Sequence, residues 1–303
     1  MLSYPDSAAI YEVGPRDGLQ NEPTPIATKA KVDLVNKLSR SGLPYVEFSS
    51  FVDPRWIPQL SDAEQVFADI DRSKGTRYAA LVPNMRGLNR ALESGLDSIA
   101  VFVSASETHN RKNLNRTIDE SLDNIEQVMD ALKGSGTWVR GYVSMVFGCP
   151  YEGDIATKDV IRVAQRLVTL GVDQLSLGDT VGYANPRQVS EHMKAFDSEI
   201  DLQKVALHFH DTRGTALANI VAGLDAGVRI FDSAIAGLGG CPYAPGAAGN
   251  VATEDLVQMF EGMGIDTGVD LSSLLEAAVF MEDCLGKKLP GRYLRASRHH
   301  SKG

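Results

Sequence analysis

Two histidines one residue apart, His208 and His210, close an apolar run, Val205-Ala206-Leu207-His208-Phe209-His210-Asp211. Read as a strand, that run turns successive side chains to opposite faces, so both imidazoles point the same way. Two imidazoles followed at once by a carboxylate form half of a metal site; taken alone, a hydrogen-bonded histidine pair in a packed strand is the commoner arrangement. Other polar residues also stand where apolar segments end. Arg16 and Asp17 follow Ile10–Val13 in the loop Gly14-Pro15-Arg16-Asp17-Gly18-Leu19-Gln20-Asn21-Glu22, and Asp179 follows Gln174–Leu177. Glu47 interrupts the apolar Tyr45-Val46-Glu47-Phe48. An unpaired carboxylate there is costly, so Glu47 is expected to meet a cation or a metal-bound water.

These residues are far apart in sequence, and the elements around them explain how they meet. Strand-like segments fall at Ile10–Val13, Tyr45–Phe48, Tyr78–Val82, Ser98–Val103, Val139–Val146, Gln174–Leu177, Val205–His210 and Ile230–Ala234. Helical periodicity follows at Thr28–Ser41, Asn84–Glu93, Thr117–Leu132, Lys158–Leu170, after Pro186, at Gly214–Ala226 and at Thr253–Glu261. This alternation predicts a (β/α)8 TIM barrel, where an open doubly wound sheet more often shows five or six strands. Leu271–Leu285 reads as an additional C-terminal helix. No linker-like shift in composition divides residues 1–303, which are expected to form one catalytic domain with a frayed polar tail from about residue 290. In such barrels chemistry gathers at the carboxyl ends of the strands, where Arg16, Asp17, Glu47, Asp179, His208 and His210 all fall. That convergence favours a metal centre.

Composition narrows the partners. The 303 residues are 43% hydrophobic and 23% charged, with a formal net charge of -9. A surface this acidic argues against nucleic acid. No apolar run reaches spanning length, so no membrane association is expected. The short start Met1–Ala8, with its Pro and Asp, does not read as a secretory leader. Cys149, Cys241 and Cys284 form no CxxC pair, which suits a reducing, cytoplasmic setting. Cys149 and Cys284, and Met129, Met145 and Met193, read as packing residues.

Several segments together resemble the 3-hydroxy-3-methylglutaryl-CoA lyase family. They are Gly14–Gln20, Arg140-Gly141-Tyr142-Val143-Ser144, Gly148-Cys149-Pro150-Tyr151-Glu152-Gly153, Ser176–Thr180, Leu207–Thr212 and Gly237-Leu238-Gly239-Gly240-Cys241-Pro242. The likeness runs from about residue 10 to 286. It places the chain in a wider group of metal-dependent barrels that also holds isopropylmalate and homocitrate synthases and ketoacid aldolases. The resemblance implies cleavage of a 3-hydroxy-3-methylglutaryl thioester into acetoacetate and acetyl-CoA. It implies Asp17, His208, His210 and Asn250 as ligands of one divalent cation, with Arg16 stabilising enolate charge and Glu47 supporting the site; oxygen-rich donors favour Mg2+ or Mn2+, while the two imidazoles leave Zn2+, Co2+ or Fe2+ open. It further implies Cys241 as a proton donor, Asn113 as a substrate contact, an acyl-CoA thioester as partner and a homodimer.

The chemistry is consistent with those roles. Removing the proton from a tertiary alcohol breaks the neighbouring C–C bond, and the electrons flow into a thioester enolate. A cation that grips the hydroxyl and a carboxylate oxygen would acidify that hydroxyl. Asp17 is a candidate base, a role a histidine could share; Arg16 can donate paired hydrogen bonds to an oxyanion. A thiol, with reference pKa of about 8.5, is a credible proton donor to the enolate. Asp179 reads as an orienter of the histidines. Arg213 stands where the family usually has an aromatic residue, and could add a cation at the mouth; Lys287 and Lys288 could reach CoA phosphates or simply face solvent. Two other readings remain: an acetyl-CoA-dependent condensing transferase of the same barrel family, and a non-haem iron oxygenase using two His and one Asp.

Overall fold

Strands buried on both faces need their backbone groups paired on both sides and their side chains covered, which a closed parallel barrel achieves. In the computed structural model, which describes residues 4–240 and 248–298, the strands are β1 (Ala9–Glu12), β2 (Tyr45–Ser50), β3 (Arg77–Leu81), β4 (Ser98–Ser104), β5 (Trp138–Ser144), β6 (Gln174–Asp179), β7 (Val205–Phe209) and β8 (Ile230–Ser233). They close in sequence order, all parallel, and β8 returns to β1 with Ala9 opposite Ile230 and Glu12 opposite Ser233. Every residue of β6, β7 and β8 is buried.

The described helices are α1 (Thr28–Arg40), α2 (Ala63–Asp69), α3 (Met85–Glu93), α4 (Glu107–Leu114), α5 (Ile118–Ala131), α6 (Thr157–Leu170), α7 (Pro186–Asp197), α8 (Ala216–Asp225), α9 (Thr253–Gly262), α10 (Leu271–Leu285) and α11 (Arg292–Ser297). Local chemistry sets their starts. Thr117 and Glu120 close a reciprocal capping box on α5, and Asn185 caps α7 ahead of Pro186. The (β/α)8 barrel with an added C-terminal helix is therefore the architecture found.

Two differences from the expected elements have clear causes. β5 stops at Ser144 rather than Val146, because Met145 adopts a left-handed φ of 60° and ends the extended run. The segment from about 290, expected to fray, instead forms α11. Leu294, 1% exposed, buries into the core, while the amides of Arg292 and Tyr293 donate to the Asp255 carboxylate at 3.0 and 2.6 Å. The apolar Leu294 inside a basic stretch was the missed signal. Leu294→Ala should therefore lower the unfolding free energy by roughly 2–5 kcal/mol in a urea titration; an unchanged midpoint would show that α11 contributes no packing.

Candidate metal centre

Beyond β1 the chain tightens into a π-helical turn over Gly14–Gly18, a distortion that recurs at functional sites. The amides of Arg16, Asp17 and Gly18 converge on the Val13 carbonyl at 3.1, 2.7 and 3.2 Å. Gly18 is required there, because a Cβ would come within 2.7 Å of Leu238 Cβ. Across the mouth, β7 ends at Phe209, and His210 lies one residue beyond it in an antiparallel bridge with Asn250. The Val251 amide donates to the Phe209 carbonyl at 3.2 Å and the Asp211 amide to that of Gly249 at 2.6 Å. Gly239, at φ 95°, leaves room for the Asn250 amide, which a Cβ would crowd to 2.8 Å.

The result is a compact donor set. One ligand atom from each of Asp17, His208 and His210 lies within 4.8 Å of the others. The two imidazoles share one side, as strand alternation requires, with ring centroids 5.3 Å apart. Asn250 Nδ2 donates to Asp17 Oδ2 at 2.8 Å and to the Leu238 carbonyl at 3.2 Å, which fixes the amide with Oδ1 as its free end. Asn250 Oδ1 and His210 Nδ1 are both buried without a hydrogen-bond partner. Such orphans cost about 1–3 kcal/mol each, and a divalent cation held by Asp17, His208, His210 and Asn250 would satisfy them. The residues thus fit a metal.

Charge at the site is arranged for that purpose. Burial pushes the His210 imidazole down to about 3, and the neighbouring His208 adds to this, so the ring is neutral and free to ligate. Burial would raise the Asp17 carboxyl, but Arg16 and the two histidines outweigh it and hold the group well below the usual carboxylate range. Arg16 is the hinge between two carboxylates: Nη1 donates to Asp17 Oδ1 at 2.6 Å and Nε to Glu47 Oε1. Glu47, fully buried, also accepts from Tyr142 Oη at 2.7 Å and Tyr11 Oη at 3.3 Å. The expected cation beside Glu47 is Arg16.

A second buried pair lies deeper. Arg140 on β5 donates to Asp232 on β8, stacks 3.7 Å over the Tyr11 ring and reaches Gln174 Oε1 at 2.5 Å. Asp232 Oδ2 takes a bond from Ser176 Oγ at 2.9 Å and lies 3.2 Å from His208 Nδ1, which leaves Nε2 for a metal. Sequence reasoning missed Arg140 and Asp232. A charge inside an apolar strand, the signal that exposed Glu47, was present in both Val139–Val143 and Ile230–Ser233.

Other expected residues fall elsewhere. Asp179 does not orient the histidine rings: its side chain accepts the Tyr183 and Ala184 amides at 2.7 and 2.9 Å, and only its backbone carbonyl meets the His210 amide. Burial raises its pKa to about 6 against those two bonds. Asn113 is exposed on α4 and shares no hydrogen bond with the cluster. Arg213 lies 4.0 Å over the Tyr183 ring and donates to the Gly182 carbonyl at 2.7 Å, so it staples two mouth loops. Lys287 pairs with Glu22 at 2.5 Å and Lys288 with Glu282 at 3.4 Å. Cys149 Sγ sits buried 3.0 Å from Ser106 Oγ. Cys241 lies outside the described residues.

Known proteins share this fold. Residues 7–281 match the HMGL-like family. The chain is 54% identical to the hydroxymethylglutaryl-CoA lyase YngG of Bacillus subtilis, over 97% of this chain and 98% of that one. It superposes on the crystal structure of the Bacillus subtilis HMG-CoA lyase with a TM-score of 0.96 at 54% identity, covering 97% and 99% of the two chains. An HMG-CoA lyase from Acinetobacter baumannii solved with coenzyme A and 3-methylmalate gives a TM-score of 0.92 at 41% identity, over 98% and 97%. Asp232→Asn should weaken Mn2+ binding about 10–100-fold, read by paramagnetic titration, because His208 loses the acceptor that fixes its ring. Parental affinity in that variant would show that the Asp232 contact does not orient the ligand.

Proposed function

The chain belongs to the HMGL-like family, and from that premise we propose that it is a divalent-metal-dependent carbon–carbon lyase that cleaves 3-hydroxy-3-methylglutaryl-CoA into acetoacetate and acetyl-CoA. The observation that carries the reading is the meeting of Asp17, His208 and His210 beside the orphaned Asn250 Oδ1, at the carboxyl ends of barrel strands. The oxygenase alternative loses its usual setting, since the strands form a parallel barrel and not a double β-sheet fold. The condensing alternative shares the fold, but the near-full-length relatives are lyases.

When bound, the cation supplies Lewis-acid polarisation of the substrate oxygens. Asp17, kept ionised by Arg16, is the acceptor we assign to the hydroxyl proton. The O–H electrons become the new carbonyl of acetoacetate, and the broken C–C bond electrons pass to the thioester enolate. Arg16 is engaged through Nε and Nη1, which leaves the two Nη2 hydrogens to hold that oxyanion. Glu47 and Tyr142 hold the guanidinium from behind, Glu47 by an ion pair and the Tyr142 ring at 5.5 Å. By the family resemblance, Cys241 donates the proton that quenches the enolate, and Asn113 contacts the substrate. Oxygen donors beside two imidazoles support Mg2+ or Mn2+ as the ion. The uniform composition supports a single catalytic domain, the unpaired cysteines support a cytoplasmic setting, and the resemblance supports a homodimer; no described helix is long and apolar enough to cross a membrane.

Purified protein given this thioester should release acetoacetate, lose that activity to a chelator and regain it with Mg2+ or Mn2+; chelator-resistant turnover would overturn the metal assignment. Cys241→Ser should lower kcat by about 10²–10⁴-fold with metal affinity intact, because a hydroxyl is a far poorer acid than a thiol. Turnover by the serine variant at the parental rate would transfer the acid role to another group.

A further inference from the structure

Glu12 is the last residue of β1, and strand alternation turns it away from Tyr11 and the barrel interior. It is fully buried, yet among the described residues no basic side chain pairs with it. Its carboxylate is instead saturated by three donors from three parts of the chain. Oε1 accepts the Gly14 amide at 2.7 Å and the Ile235 amide at 2.8 Å, and Oε2 accepts Thr253 Oγ1 at 2.5 Å. Thr253 Oγ1 also lies 2.9 Å from Ser233 Oγ.

Each partner leads to one side of the metal centre. Gly14 opens the π-helical turn that presents Arg16 and Asp17. Ile235 leaves β8, and Thr253 begins α9 three residues after Asn250. Between them, Ala234 pairs with Ala252: its amide donates to the Val251 carbonyl at 3.0 Å, and the Thr253 amide returns to the Ala234 carbonyl at 3.1 Å. We infer that Glu12 is a positioning residue that fixes the distance between the Asp17 and Asn250 sides of the metal centre by tying the exits of β1 and β8 to the start of α9. It touches neither ligand. The inference rests on the reading of Asp17, His208, His210 and Asn250 as the ligand set.

Glu12→Gln preserves the bonding: the amide oxygen accepts both amides, Nε2 donates to Thr253 Oγ1, and the Thr253 proton turns to Ser233 Oγ. Glu12→Ala removes all three bonds. Mn2+ titration followed by paramagnetic resonance, with thermal unfolding in parallel, separates positioning from general stability. Glu12→Ala should bind Mn2+ at least about tenfold more weakly, the scale of lost support around a ligand; Glu12→Gln should stay within about threefold of the parent on the same scale. Val163→Ala, a buried position on α6, should lower the melting temperature without moving the affinity. Parental affinity in Glu12→Ala, or an equal loss in Val163→Ala, would overturn the inference, as would a Gln variant as weak as the Ala variant. Should Glu12→Ala not fold, Thr253→Val removes the hydroxyl bond alone and should weaken Mn2+ by a few-fold; parental affinity there would likewise overturn it. A parental chain that binds no Mn2+ would overturn the metal reading as well, whereas an insensitive Glu12 in a metal-binding parent overturns this inference alone.

Discussion

The structure depends on how charge is kept inside a closed barrel. Arg16 and Arg140 are both buried, as are Glu47 and Asp232, and Asp17 is only partly exposed. An isolated buried charge is costly, and losing one partner of such a pair costs about 3–5 kcal/mol. Each guanidinium is therefore held by a carboxylate from another strand. Arg16 joins β1 to β2 through Glu47, and Arg140 joins β5 to β8 through Asp232. Three carboxylates (Asp17, Glu47, Asp232) face two guanidiniums, so the cluster has a formal charge of -1. A divalent cation makes it +1, which suits an anionic substrate and a developing enolate in a protein of net charge -9.

The same pairings explain how the proposed site can be precise although its candidate ligands come from three separate segments. Asp17 rides on a turn, His208 on a strand, His210 one residue past that strand and Asn250 on a bridge beside it. Packing alone would leave those segments free to shift by an ångström, enough to spoil a coordination shell. Directed bonds remove that freedom. Asp232 fixes one imidazole, Asn250 holds the Asp17 carboxylate, and buried Glu12 and Glu254 hold the backbone at the exit of β8. Ala236 sits there at φ 56°, with its amide given to Glu254 and its carbonyl taking the Gly291 amide. The C-terminal segment thereby supports the exit of β8.

Much of this was legible in the chain. The eight alternating segments set the barrel, and the histidine pair with Arg16 and Asp17 marked the strand ends that the structure brings together. These signals are local, since each needs only a strand period or a charge in an apolar run. What was not legible is partner choice. That Asp232 and not Asp179 meets the histidine depends on register: His208 stands beside Asp232 on β8 and beside Gly178, not Asp179, on β6, and no spacing in the sequence encodes that pairing. The end of β7 before His210 depends likewise on a neighbour, the Gly249–Val251 segment, which takes over its backbone bonds. The order of the C-terminal segment arises from Leu294 and Asp255, two contacts that a polar composition hides.

The central claim is that Asp17, His208, His210 and Asn250 hold one divalent ion at the carboxyl end of the barrel. Crystals grown with Mn2+ and measured near the manganese absorption edge test it most directly. The account predicts a single strong anomalous peak within about 2.0–2.6 Å of ligand atoms from those four residues. A peak bound elsewhere, with none among these side chains in crystals that hold the ion, would contradict it.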